Sequence, residues 1–225
     1  MSNGHTRYEL IVFDLDGTLL DTLDDLTAAV NAALRVFQLP TRTRTEIRSF
    51  IGDGVRMLIR RAVGFAHESE DAIITAFRSH YTAHCTDETK PYAGVTELLA
   101  RLRERGVKTA ILSNKVHDST VYLAELYFNG LLDDAQGENE RAGIPKKPDP
   151  TALWAMLERQ KVSREKTLYI GDSEVDICTA KNAGVDCVSV TWGFKDERFL
   201  LANGAKKIAR TSEELARLLL EGEEE

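Results

Sequence analysis

The chain has 225 residues, 43 % of them hydrophobic, enough for a sizeable core in one domain with a large insertion or in two modest domains. A formal net charge of −7 argues against a broad nucleic-acid surface, which needs a basic face, although a cleft holding a metal ion or a few basic groups can still take an anion. No apolar run approaches bilayer-spanning length and the N-terminal stretch lacks signal-peptide shape. Three widely spaced cysteines, Cys85, Cys178 and Cys187, read as reduced, mostly buried thiols of a cytoplasmic protein.

The first apolar run, "YELIVFDLD", predicts a buried strand. From Leu23 to about His84 the apolar spacing turns helical, in "LDDLTAAVNAALRVF", "GVRMLIRRAVGF" and "EDAIITAFRSHYTAHC", punctuated by Pro40 and Gly52. After "KPYAG" helices and strands alternate: helix "VTELLARLRERG", strand "VKTAILSN", helix "STVYLAELYF", and a short strand near "LLDDAQG". Then come helix "DPTALWAMLERQK", strand "KTLYIGD", helix "EVDICTAKNAG", strand "VDCVSVTWG", a short strand in "KKIA" and helix "TSEELARLLL". Thr211 and Glu214 have capping-box spacing, and the terminal "EGEEE" reads as a solvated tail. The alternation implies an α/β fold, a Rossmann-like parallel sheet with helices on both faces. Residues 1–19 and 90–225 form its core, and residues 20–89 an inserted all-helical cap.

Ligands of open parallel sheets sit beyond the carboxyl ends of the strands. There the sequence places Asp14, Asp16, Gly17 and Thr18 after the first strand, Ser113 and Asn114 after the second, and Gly171, Asp172, Ser173 and Asp176 after the fourth. Lys147 lies in the loop "PKKPDP". Carboxylates, a hydroxyl, an amide and an ammonium at one rim suit joint binding of a divalent cation and a phosphoryl group. Mg²⁺ prefers oxygen donors, which Asp14, Asp172 and the backbone carbonyl of Asp16 can supply. Asp14 can then attack phosphorus, and Asp16, two positions on and on the same face of an extended chain, can serve as acid and base. Gly17 admits a close backbone approach, Ser113 can donate to a phosphoryl oxygen, and Lys147 can neutralise transferring charge. Thr18 and Asn114 are further candidates for substrate contact.

The strings "DLDGTLLDT", "ILSNK", "KKPDP" and "GDSEVD", in that order, resemble the four motifs of the haloacid dehalogenase superfamily, and the helical insertion resembles its four-helix cap. The similarity is greatest to phosphoglycolate-phosphatase-like members. It implies a Mg²⁺-dependent phosphatase with Asp14 as nucleophile, Asp16 as acid/base, Ser113 and Lys147 as phosphate binders, and Asp172 as metal ligand. Asp176 is implied as an auxiliary ligand. In the family the cap segment "SFIGDGVRMLIRRAVG" faces the catalytic rim, so Arg56 is a candidate to pair with a substrate carboxylate.

Neighbouring chemistries divide on single residues. A dehalogenase needs no proton donor at Asp16, and a phosphonoacetaldehyde hydrolase needs a cap lysine, which no position between Asp21 and Thr89 provides. Inorganic pyrophosphatase and β-phosphoglucomutase stay open, as does a non-enzymatic receiver-like phospho-acceptor switch, although receiver domains lack a helical insertion after the first strand. The expected partner is a small phosphorylated molecule, 2-phosphoglycolate first, with no nucleic acid or membrane, for a monomer or homodimer. "TWGF" at 191–194 reads as packing, and His67, His80, His84 and His117 as surface or cap residues.

Overall fold

A computed structural model describes residues 7–64, 67–139 and 142–220; the acidic tail expected at "EGEEE" lies outside them. The chain divides into two compact units, one of Met1–Leu19 with Pro91–Glu225 and one of Leu20–Lys90.

The first unit is built on six parallel strands: β1 (Leu10–Phe13), β4 (Lys108–Val116), β5 (Asp134–Glu138), β6 (Thr167–Gly171), β7 (Asp186–Val190) and β8 (Ile208–Ala209). Their order is β5-β4-β1-β6-β7-β8. Strand β1 is central because all four of its residues are apolar and buried, as a strand covered on both faces must be. Its register runs Leu10–Phe13 against Lys108–Ile111 on one side and Thr167–Ile170 on the other. The connecting helices are α5 (Val95–Glu104), α6 (His117–Phe128), α7 (Thr151–Gln160), α8 (Glu174–Ala183), α9 (Glu197–Ala202) and α10 (Ser212–Leu220). One core cluster joins Leu10, Val12, Leu112 and Tyr169 of the sheet to Leu153 and Met156 of α7 and Ala180 of α8.

Several local expectations change in detail. The Thr211 hydroxyl accepts from the Glu214 N–H at 3.1 Å as a cap should, but the Glu214 carboxylate reaches back to the Arg210 N–H, so the reciprocal half of the box shifts by one residue. His117 is not a surface or cap group: it opens α6, and its ring nitrogen accepts from the Gly137 N–H of β5 at 3.3 Å. Cys178 is exposed, since α8 turns its other side to the sheet, while Cys85 is buried and Cys187 half-buried; none of the three is in a disulfide.

The second unit packs α1 (Leu23–Val36) against α2 (Arg44–Phe50), α3 (Val55–Val63) and α4 (Glu70–His84). Ala29, Val30, Ala33 and Leu34 of α1 are fully buried, with Ile47, Ile59, Ile73 and Phe77 from the other three helices. A reciprocal capping box, Thr43 with Glu46, starts α2. Two short strands, β2 (Leu20–Asp21) and β3 (Lys90–Pro91), pair with each other. Buried Asp25 of α1 accepts from the Glu88 and Thr89 N–H groups at 3.0 and 2.9 Å and from the Thr89 hydroxyl at 2.7 Å. Charged acceptors make the stronger hydrogen bonds, so this carboxylate ties the first helix to the segment that leads out of the unit. Among the described residues, no helix is long and apolar enough to cross a membrane.

Candidate active site

The strand that follows β1 in the sheet on one side is β4, and on the other it is β6, so the winding direction reverses beside β1. Open α/β sheets bind ligands in the crevice that such a reversal leaves at the carboxyl edge. Asp14 leaves β1 at that edge, its N–H donating to the Ile170 carbonyl of β6 at 2.8 Å, and Asp172 leaves β6 beside it. One oxygen each of Asp14, Asp172 and Asp176 lies within 4.8 Å of the others, the single such group of metal-capable side chains among the described residues.

All three carboxylates are buried. Burial raises the Asp14 pKa to about 7; Lys147 opposes the shift, and Asp176 and Asp16 add to it. Burial and the charges of Asp176 and Asp14 hold Asp172 well above the ordinary carboxylate range. Three buried oxygen donors within 4.8 Å of one another, of which Asp14 and Asp172 resist ionising, are what a hard divalent cation relieves, so the donor set fits Mg²⁺.

Lys147 faces this cluster, with Nζ 3.0 Å from Asp14 and 2.7 Å from Asp176. Burial works against its charge, but the Asp14 and Asp176 carboxylates outweigh that and keep the ammonium well above its usual pKa. The Asn114 carboxamide, a candidate for substrate contact, clasps the Lys147 backbone instead: Oδ1 accepts its N–H at 2.7 Å and Nδ2 donates to its carbonyl at 3.0 Å. Asp176 accepts from Lys147 with one oxygen, and with the other from the N–H and hydroxyl of Ser173 at 3.1 and 2.6 Å. A Cβ at Gly171 would overlap the Asp176 side chain, so glycine there is a packing requirement.

The hydroxyl of Thr18, another candidate for substrate contact, donates to Asp172 at 3.3 Å. Gly17 has φ +85°, and a Cβ on it would stand 2.8 Å from the Asp172 carboxyl carbon. Both a left-handed backbone and a close carboxylate therefore exclude other residues. Ser113 is buried on β4. The carboxylate of Asp16, the residue whose backbone carbonyl is the metal candidate, stands outside the three-carboxylate group, and its oxygens lie 2.9 and 3.0 Å from Lys115 Nζ. The Asp16 backbone carbonyl is the part left to offer a cation. Arg56 belongs to the other unit, where its guanidinium pairs with Glu70 and Asp71.

Three contributors escaped the sequence reading. Lys115 is buried beside Asp16, two residues after Ser113. The buried hydroxyl of Tyr169 accepts from Lys147 Nζ at 3.0 Å and donates to the Leu112 carbonyl at 3.0 Å. "TWGF" is more than packing: the Phe194 N–H donates to Asp172 at 2.6 Å and Trp192 Nε1 to the Thr18 carbonyl at 3.0 Å.

A six-stranded sheet in this order, with strand-end carboxylates around one buried lysine, is the framework of a hydrolase that works on anionic groups. Residues 11–190 match the family of haloacid dehalogenase-like hydrolases, and the chain belongs to that family. Within it the chain is phosphoglycolate phosphatase-like. It is 35 % identical over 204 residues to phosphoglycolate phosphatase 1 of Pseudomonas aeruginosa, covering 84 % of this chain and 71 % of that one. It is also 35 % identical over 193 residues to a phosphoglycolate phosphatase of Mesorhizobium japonicum, covering 83 % and 84 %. A crystal structure of an inferred phosphoglycolate phosphatase from Lactobacillus delbrueckii superposes with a TM-score of 0.89 at 34 % identity, over 95 % of this chain and 98 % of the other.

Proposed function

We propose that the protein is a Mg²⁺-dependent phosphomonoester hydrolase whose first substrate is 2-phosphoglycolate. The observation that carries this reading is the trio of buried carboxylates Asp14, Asp172 and Asp176 around Lys147 at the reversal of the sheet. Relatives named phosphoglycolate phosphatase support the choice of substrate.

An oxygen of Asp14 attacks phosphorus, and the bond from phosphorus to the ester oxygen breaks. Asp16 gives its proton to the departing alkoxide. Ser113 donates to a phosphoryl oxygen, and Lys147, held by Asp176, Tyr169 and Asn114, balances the charge spread over the group in transfer. Asp16 then takes a proton from water, which attacks the aspartyl-phosphate, releases inorganic phosphate and restores Asp14. Gly17 lets the backbone lie close to the phosphoryl group. Asp14, Asp172 and the Asp16 carbonyl would hold Mg²⁺, with Asp176 as an auxiliary acting through Lys147. When bound, the ion neutralises the carboxylates and the phosphoryl oxygens so that they can approach.

Phosphate release from 2-phosphoglycolate, measured with Mg²⁺ and with a chelator, tests the reading. Turnover that depends on Mg²⁺ and disappears in Asp14→Asn is expected. Full turnover in that variant, or none in the unsubstituted protein, overturns it.

A further inference from the structure

Lys115 and Lys147 are the two buried lysines among the described residues, and both stand at this rim. Burying an ammonium is costly unless it is paired, so each needs a reason to be there. Lys147 has one in the carboxylate cluster and the phosphoryl group. Lys115 instead spans both oxygens of the Asp16 carboxylate, at 2.9 and 3.0 Å.

That pairing conflicts with the role assigned to Asp16. A carboxyl that protonates the ester oxygen has to turn an oxygen toward it, and here both oxygens rest on one ammonium. Something has to compete with Asp16 for Lys115 when substrate arrives. The competitor also has to sit near the ester oxygen, because Asp16 does.

We infer that Lys115 reads the carboxylate of a phosphorylated 2-hydroxy acid, exchanging part of its bond to Asp16 for one to the leaving group. In 2-phosphoglycolate the carboxylate carbon is two bonds from the ester oxygen. A group that hydrogen-bonds this carboxylate therefore lies beside the group that protonates the ester oxygen, which is the relation of Lys115 to Asp16. An ammonium has three N–H donors and accepts a second carboxylate without losing its charge partner. The exchange frees one Asp16 oxygen only when a carboxylate-bearing substrate is in place; that oxygen takes up a proton from solvent and passes it to the departing ester oxygen, so one lysine couples recognition to proton delivery. The inference rests on the phosphatase reading and names the residue that selects its substrate.

The test compares kcat/KM for 2-phosphoglycolate with that for ethyl phosphate, which has the same ester and no carboxylate, in the unsubstituted enzyme, Lys115→Met, Lys115→Arg and Arg56→Ala. The unsubstituted enzyme should prefer 2-phosphoglycolate by about ten- to a hundredfold, the worth of one charge-assisted hydrogen bond. Lys115→Met should lose at least tenfold more on 2-phosphoglycolate than on ethyl phosphate, and Lys115→Arg should keep most of the preference. Proportional losses on the two substrates overturn the inference, as does a selective loss in Arg56→Ala that Lys115→Met does not show. Equal efficiency of the unsubstituted enzyme on both substrates overturns it too, and needs no variant to fold. In all three results turnover persists and the phosphatase reading survives; absence of Mg²⁺-dependent release from either substrate overturns that reading, and this inference with it.

Discussion

The hydroxyl of Tyr169 meets the ammonium of Lys147 at 3.0 Å, inside a fully buried stretch of β6 and two residues before the glycine that makes room for Asp176. The sheet therefore grips Lys147 from Tyr169 as well as from the Asp176 side. Tyr169→Phe keeps the ring and removes the grip. It takes one donor from the Leu112 carbonyl and leaves one Lys147 N–H without its acceptor, a cost of about 1–3 kcal/mol. The expected outcome is a fall in unfolding free energy of that size by urea denaturation. With a less constrained Lys147, KM for phosphate esters should rise several-fold. An unchanged denaturation midpoint would show that Tyr169 supports nothing.

Carboxylates crowded without a cation have a pH signature. Burial raises Asp14 to about 7, so the folded protein favours its protonated form more than the unfolded chain does, where the ordinary pKa is about 4. The stability this gives is complete below the unfolded pKa and is lost as pH rises through about 7. Asp172 is shifted in the same direction. In chelator, the melting temperature should fall between pH 5.5 and pH 8. Mg²⁺, which favours the ionised forms, should raise it more at pH 8 than at pH 5.5. A Mg²⁺ shift independent of pH would mean that these carboxylates are not its ligands.

Asp14→Asn separates stability from catalysis. The amide keeps the shape and removes one charge from the cluster, so without metal its melting temperature should fall less toward pH 8 than that of the unsubstituted protein. Turnover should drop by at least about a thousandfold, since an amide cannot carry the phosphoryl group. Differential scanning fluorimetry beside the phosphate assay checks both. A variant that loses activity and also keeps the full pH dependence would point to another source of the shift.

Much of this arrangement is legible in the string because the chemistry sits on punctuation. Asp14, Asp16 and Asp172 end apolar runs, and acids rarely stop two buried strands at equivalent points without a common ligand. The strands of the six-stranded sheet follow from β-branched and aromatic runs alternating with helical spacing, down to the short β8, whereas β2 and β3, two residues each, have no pattern to declare them, and β2 corrects the all-helical reading of residues 20–89. What escaped has physical causes. Lys115 closes a strand pattern where a solvated lysine is ordinary; its spacing of two from Ser113 was the available clue. The contribution of Phe194 is its backbone N–H, which no side-chain alphabet records. Asn114 is a polar residue at the rim, but only the fold shows that its carboxamide is turned to the Lys147 backbone. Helices α2 and α9 are too short for periodicity to declare them.

Gly193 gives the sharpest test of the loop after β7. A Cβ there would drive into the Gly17 carbonyl and the Asp172 carboxylate, and the obstruction is partly backbone, which cannot swing aside. Either the loop withdraws, taking the Phe194 N–H off Asp172, or Asp172 turns away from Asp14. Both movements spoil the pair of carboxylates proposed to hold the cation, while the sheet beneath stays packed. Gly193→Ala should therefore weaken Mg²⁺ binding by at least about tenfold in calorimetry and cost about 1–3 kcal/mol of stability, the usual range for overpacking. Trp192→Phe, which deletes the bond to the Thr18 carbonyl and trims the ring beside Tyr92 but adds no atom against Asp172, should do less to Mg²⁺ binding. If Gly193→Ala binds Mg²⁺ as tightly as the unsubstituted protein, Asp172 is positioned without this loop, and the loop has no part in the site.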